Sequence, residues 1–201
     1  CAVYGNDPKL PKVEDDTLSP TSPYATTKLA VEQYAEVLRK TRGLRCIGLR
    51  YFNVFGPRQN ASSSYAAVIP RWIQSMIDGG DLVLFGNGEQ TRDFCHVSDV
   101  VKSNLLSVLA MTNASNGVHG IFNIATGQST SLNQLRASLD VILRNQLCQA
   151  PEYRFVQSEA RSGDVVRSQA DVSLAEQFLG YKASTSLKDG LVSLVKYQAG
   201  Y

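Results

Sequence analysis

Apolar and polar positions alternate along the chain in a way that separates helical from extended stretches. Residues 23–42 carry Leu29, Ala30, Tyr34, Ala35, Val37 and Leu38 at helical spacing. Ser22 fits the N-cap of that helix, Pro23 its first position and Gly43 its C-terminal cap, while Lys40 and Arg42 suit the negative end of its dipole. Residues 45–52 read as a buried strand, apolar on both faces, that ends in the turn Asn53-Val54-Phe55-Gly56-Pro57. Residues 1–4 read as an earlier strand, so strand, helix and strand form a βαβ unit with a right-handed crossover. Ligands of such sheets gather at the carboxyl ends of the strands, which puts Tyr24 and Asn53 near one edge.

Beyond residue 57 the pattern predicts a helix over 65–78 after a serine-rich loop, closed by Gly79-Gly80. A hairpin of strands 82–85 and 91–95 is expected around Asn87-Gly88, a strong turn signal. Ser98 is expected to cap a helix over 99–111, and Ser131 one over 132–147. Strands at 120–124 and 153–156 and short helices at 172–179 and 187–198 complete the reading. The alternation predicts an α/β fold whose less regular second half forms a smaller lobe.

Composition narrows the function classes. A formal net charge of +2 with 19% charged residues offers no nucleic-acid stripe, so any anion is expected to meet local arginines. No apolar run is long enough to span a bilayer. The four cysteines are widely scattered, and Cys46 and Cys95 read as reduced core residues, which suggests the cytoplasm. His96 and His119 have no partners at metal-ligand spacing and read as structural, so no metal is expected. Gly86-Asn87-Gly88 is not a dinucleotide fingerprint, because the third glycine and the following helix are missing.

Candidate chemistry begins with Tyr24 and Lys28. Four residues apart on a helix, they share a face, and a fixed ammonium beside a phenol favours the phenolate. Alone, such a pair is usually an ordinary feature of a helix surface. Gln90-Thr91-Arg92-Asp93-Phe94 and Arg161-Ser162-Gly163-Asp164 add arginines suited to bidentate phosphate binding and an aspartate suited to a sugar diol; local salt bridging is the plainer reading of each.

In order, these pieces resemble the extended short-chain dehydrogenase/reductase family, and within it the nucleotide-sugar 4-epimerases. The matching stretches are Val3-Tyr4-Gly5, Ser22-Pro23-Tyr24-Ala25-Thr26-Thr27-Lys28, Arg50-Tyr51-Phe52-Asn53-Val54-Phe55-Gly56-Pro57, Gly86 through Phe94, and Arg161-Ser162-Gly163-Asp164. The resemblance implies the C-terminal part of a Rossmann-type doubly wound parallel sheet with a smaller α/β substrate-binding lobe. Residues 1–57 would be the remainder of an NAD-binding domain whose first half, with the glycine-rich loop, is missing. Residues 58–201 would be mainly the substrate domain, with about 91–126 returning to the first. It further implies NAD as cofactor, a UDP-sugar as substrate, Tyr24 as catalytic base and Lys28 as its activator and ribose ligand. Phe52 would contact the cofactor, Asn53 and Arg92 the diphosphate, Leu84 and Phe85 the uracil, and Arg161 with Asp164 phosphate and ribose. The family's catalytic serine or threonine would fall just before residue 1. Cys1 and Ala2 stand where the related 4,6-dehydratases carry Asp-Glu, which argues against dehydration.

Ser168, four positions after Asp164, stands where relatives restricted to plain hexoses tend to carry tyrosine. A small residue there points to UDP-N-acetylglucosamine/UDP-N-acetylgalactosamine or its uronic acid, in polysaccharide precursor supply; a surface serine is the plainer reading. The alternatives are a UDP-glucose or UDP-glucuronate 4-epimerase and, in another class, a non-catalytic nucleotide-binding sensor or scaffold. A homodimer is implied by resemblance alone, and residues 1–201 by themselves are expected to be inactive.

Overall fold

The computed structural model describes residues 1–60, 67–113, 118–147, 153–160 and 165–200. The expected helix is present as α1 (Pro23–Arg42). Ser22 Oγ accepts from Ala25 N at 3.2 Å, and Gly43 ends the helix in the left-handed region at φ 66°, donating to Arg39 O. Then come β1 (Ile47–Tyr51), β2 (Asn53–Phe55), α2 (Val68–Asp78), β3 (Asp81–Phe85), β4 (Thr91–Arg92) and β5 (Phe94–His96). They are followed by α3 (Val97–Asn113), β6 (Gly120–Ile124), β7 (Thr130–Ser131), α4 (Leu132–Leu147), β8 (Arg154–Ser158), α5 (Ser173–Leu179) and α6 (Leu187–Gln198). Mixed helices and mostly parallel strands make the fold α/β, as expected.

Four departures from expectation have physical reasons. Ala2–Tyr4 forms a 3-10 turn rather than a strand, closed by a bond from Tyr4 N to Cys1 O at 3.2 Å, so no βαβ unit forms from it among the described residues. The expected hairpin is absent. β3 instead pairs in parallel with β8, with Asp81 opposite Arg154, while β4 pairs antiparallel with β7 and β5 pairs in parallel with β2. Gly88 turns the chain out of β3 at φ 82°, but the turn docks on α4: Asn133 N donates to Gly88 O and Asn133 Nδ2 to Asn87 O, both at 3.1 Å. Ser98 lies inside α3 and exchanges a hydrogen bond with His96 Nδ1 instead of capping. Finally, β1 is only half-buried, since among the described residues it pairs on one side alone, with β6. Ser131 does cap α4, in a reciprocal pair with Gln134.

The chain from Ile47 to Phe55 serves two sheets in turn. Its first half is parallel to β6 in register Ile47 to Gly120, and its second half is parallel to β5 in register Asn53 to Phe94. At the pivot, Phe52 N donates to Ile124 O and Asn53 N to Asp93 O, both at 3.0 Å. One core packs Phe55, Ile69, Trp72, Ile73, Met76, Leu82, Leu139 and Leu194; a second gathers Cys95, Phe122, Ile124 and Tyr181. On α2 the buried residues Ile69, Trp72, Ile73 and Met76 recur at helical spacing, each contributing about 1.5–3 kcal/mol by burial. No helix among the described residues is long and apolar enough to cross a membrane.

Gly190 sits inside α6, where alanine would ordinarily gain about 1 kcal/mol of helix propensity. A Cβ there would stand 2.7 Å from Phe55 Cζ and 2.9 Å from His96 Cδ2, both on buried rings. Overpacking of about 1–3 kcal/mol should win, so Gly190→Ala is expected to lower the urea midpoint rather than raise it.

Candidate functional site

A cleft of about 770 Å³ opens at the carboxyl end of β1, where the chain leaves β6 for β5. Tyr24, Lys28, Phe52, Asn53, Phe85 and Arg92 all line it, so residues spread over nearly 70 positions of sequence share one concavity. Tyr24 is 64% exposed, and Lys28 Nζ lies 5.3 Å from its ring centroid. The two side chains therefore meet as the four-residue spacing requires.

What aims α1 is a partly buried ion pair that sequence reading did not single out. Glu32 follows Lys28 by one further turn, on the same face. Its carboxylate accepts two bonds from Arg50 of β1, from Nε at 2.9 Å and Nη2 at 2.8 Å. Arg50 Nη1 also donates to the Tyr4 hydroxyl and to Glu14 O, each at 2.9 Å. Burial alone would lower the Arg50 pKa, but hydrogen bonds to Glu32 and Tyr4 override it and raise it. Burial also pushes the Tyr4 phenol upward, so it stays protonated and donates to Asn123 Oδ1 at 2.6 Å. Asn123 on β6 completes the set, its Nδ2 donating to Lys12 O and Asp171 O at 3.0 and 3.2 Å. The signal available in the sequence was Glu32 in phase with Tyr24 and Lys28, together with a lone arginine in an apolar strand.

Asp93 was also passed over. It is fully buried and accepts from Thr126 N, Thr126 Oγ1, Gly127 N and Ala170 N at 2.9, 2.7, 3.0 and 3.3 Å. Burial raises its pKa against those four donors. Asp93, between β4 and β5, turns inward, while its neighbour Arg92 lines the cleft, where Nη1 donates to Thr91 O at 2.9 Å.

Strand alternation separates Leu84 from Phe85. Leu82 and Leu84 point into the core, whereas Val83 and Phe85 face the cleft. Leu84 therefore does not line the cavity, and Val83 stands in its place; period-two reasoning along β3 would have shown it. Trp72 braces this wall by donating from Nε1 to Val83 O at 3.0 Å. Ser168 is buried rather than a surface serine, and it lines a smaller cavity of about 220 Å³ that shares Phe52, Asn53 and Arg92 with the cleft. Arg161 and Asp164 lie outside the described residues. No cluster of metal-ligating side chains occurs among the described residues.

The family model described as the NAD dependent epimerase/dehydratase family matches residues 1–125. The chain belongs to that family. A putative UDP-glucose 4-epimerase of Methanocaldococcus jannaschii is 35% identical over 196 residues, covering 98% of this chain and 59% of that protein. Among solved structures, a UDP-N-acetylglucosamine 4-epimerase from Methanobrevibacter ruminantium M1, in complex with UDP-N-acetylmuramic acid, matches with a TM-score of 0.88 at 35% identity. That match covers 99% of this chain and 60% of the other. A UDP-glucuronic acid 4-epimerase from Bacillus cereus, in complex with UDP-glucuronic acid and NAD, matches with a TM-score of 0.84 at 28% identity, over 100% of this chain and 60% of the other. The fold is that of the Rossmann-type epimerases, and the chain spans about 60% of the length of these relatives.

Because Glu32 and the buried Arg50 set the phase of α1, removing one partner strands the other. Arg50→Leu is expected to cost about 3–5 kcal/mol of folding stability, read from urea denaturation. The double variant Glu32→Leu/Arg50→Leu should recover part of that loss.

Proposed function

We propose that the full-length protein is an NAD-dependent UDP-sugar 4-epimerase, acting on UDP-N-acetylglucosamine/UDP-N-acetylgalactosamine or its uronic acid. The observation that carries this reading is the meeting of Tyr24 and Lys28 with Phe52, Asn53 and Arg92 around one cleft. Tyr24, exposed to the cleft, takes the proton of the sugar 4-hydroxyl and returns it after the 4-keto sugar has turned over. Lys28, on the same face, holds its ammonium 5.3 Å from the Tyr24 ring centroid, within reach of the ribose beside it. Asn53 and Arg92 hold the diphosphate, an arrangement suited to a guanidinium and an amide at a strand end. Phe85 and Val83 offer an apolar wall to the base. Arg161 and Asp164 are retained as phosphate and ribose ligands on the resemblance alone.

The residues present fit the nicotinamide-ribose end of NAD, through Tyr24, Lys28 and Phe52. Among the described residues no glycine-rich turn opens a helix for a diphosphate, so we assign that end to the part of the longer relatives that this chain does not span. Bound there, NAD supplies the acceptor and donor of hydride at C4. Residues 1–57 with about 91–126 make the cofactor side and the remainder the substrate side, a division supported by the change of strand partner at Phe52. Free thiols at Cys1, Cys46 and Cys95 favour a reducing cytoplasm. Exposed Val31, Tyr34 and Leu38 along one stripe of α1 favour a homodimer.

Tyr24→Phe in the full-length protein is expected to lower kcat for epimerisation by about 10²- to 10⁴-fold while leaving UDP-sugar affinity nearly unchanged. Normal turnover by that variant would remove Tyr24 from the mechanism. Absence of turnover by the unmodified protein would favour a nucleotide-binding sensor instead.

A further inference from the structure

The smaller cavity is lined by three cations, Lys12, Arg92 and Arg167, and by no carboxylate among the described residues. Two of the three are engaged nearby. Lys12 Nζ donates to Asp7 O at 2.8 Å and lies 3.5 Å from the Asp7 carboxylate, while Arg92 donates to Thr91 O. Arg167 has no side-chain hydrogen bond or ion pair with any described residue.

Its backbone, by contrast, is tied down. Thr91 N donates to Val166 O at 3.0 Å and Ser168 N donates to Thr91 O at 3.1 Å, so residues 166–168 lie extended against β4. Side chains alternate along such a stretch, which buries Ser168 and leaves Arg167 exposed at the cavity rim. A guanidinium on a fixed backbone, with both donor edges open, matches a carboxylate bidentately. The two cavities share Asn53 and Arg92, so a ligand whose diphosphate rests on those residues can set its 4-hydroxyl beside Tyr24 in the cleft and extend its C6 substituent toward the smaller cavity.

We propose that Arg167 recognises a carboxylate on the sugar, making the smaller cavity a uronate subsite. This rests on reading the cleft as a UDP-sugar site, and it assigns the acidic sugar to a residue outside the acid–base pair. A neutral sugar leaves Arg167 solvated and unused; a hexuronate gives it a partner at the cavity mouth.

The test assays the full-length protein with UDP-glucuronate, UDP-glucose and UDP-N-acetylglucosamine, as wild type, Arg167→Gln and Arg167→Lys. In Arg167→Gln, kcat/KM for UDP-glucuronate should fall about tenfold to a hundredfold, with both neutral sugars unchanged to within about threefold and lysine restoring part of the loss. Equal loss on all three sugars makes Arg167 a diphosphate or structural residue and overturns the proposal, as does no loss on any. If the wild type epimerises none of them, the epimerase reading falls by itself and calorimetric binding decides the subsite. A drop of about tenfold in the affinity ratio of UDP-glucuronate to UDP-glucose on Arg167→Gln then supports it, and an unchanged ratio overturns it.

Discussion

The bidentate pair between Arg50 and Glu32 is the constraint on which the site depends. Taking a guanidinium and a carboxylate out of water costs several kcal/mol per ion, and only good geometry with further hydrogen bonds offsets it. Here Arg50 spends its remaining donors on Tyr4 and Glu14 O, and Tyr4 passes its proton on to Asn123. The result ties the 3-10 turn, α1, β1 and β6 at one point. α1 buries only Ala25 fully, so apolar packing does little to set its rotation about its own axis. The ion pair does so instead, and because Glu32 shares a face with Lys28 and Tyr24, orienting one orients all three.

A second constraint acts where the chain changes sheets. Between Ile47 and Phe55 one extended segment serves two partners, and the change at Phe52 creates the concavity at the end of β1. Asp93 holds the opposite side by accepting four hydrogen bonds from two separate loops. Its burial is unfavourable for a carboxylate, and the four donors compensate. The side chain that lines the cleft, Arg92, is thus carried by a neighbour that faces the core.

Much of the fold was legible in the chain. α1, α4 and α6 begin and end where caps and periodicity put them, because those signals are local. Gly43 is left-handed, and Ser22 and Ser131 cap, with no help from distant residues. The hairpin failed for the opposite reason. Asn87-Gly88 does specify a turn, but a turn does not specify that its flanking strands pair with each other; β8 and β7 supply better partners. The reading of residues 1–4 as a strand failed similarly, since Val3 and Tyr4 are buried as a strand would be but sit in a 3-10 turn. Leu84 was misplaced although the alternation of β3 was already in the sequence.

The sequence by itself marked the candidates for chemistry: a tyrosine and a lysine in helical phase, an Asn at a strand end, and arginines near glycines. Their spacing is local, so their relation within one element followed from backbone geometry. Only the tertiary structure decided that Tyr24, Asn53, Phe85 and Arg92 share a cleft, that Ser168 is buried at a smaller cavity beside it, and that Arg167 stands at the rim of that smaller cavity without a partner among the described residues. Those facts depend on which strands pair and on a partly buried ion pair 18 residues apart in sequence. Long-range pairing is chosen by the free energy of the whole core, and no local pattern encodes it.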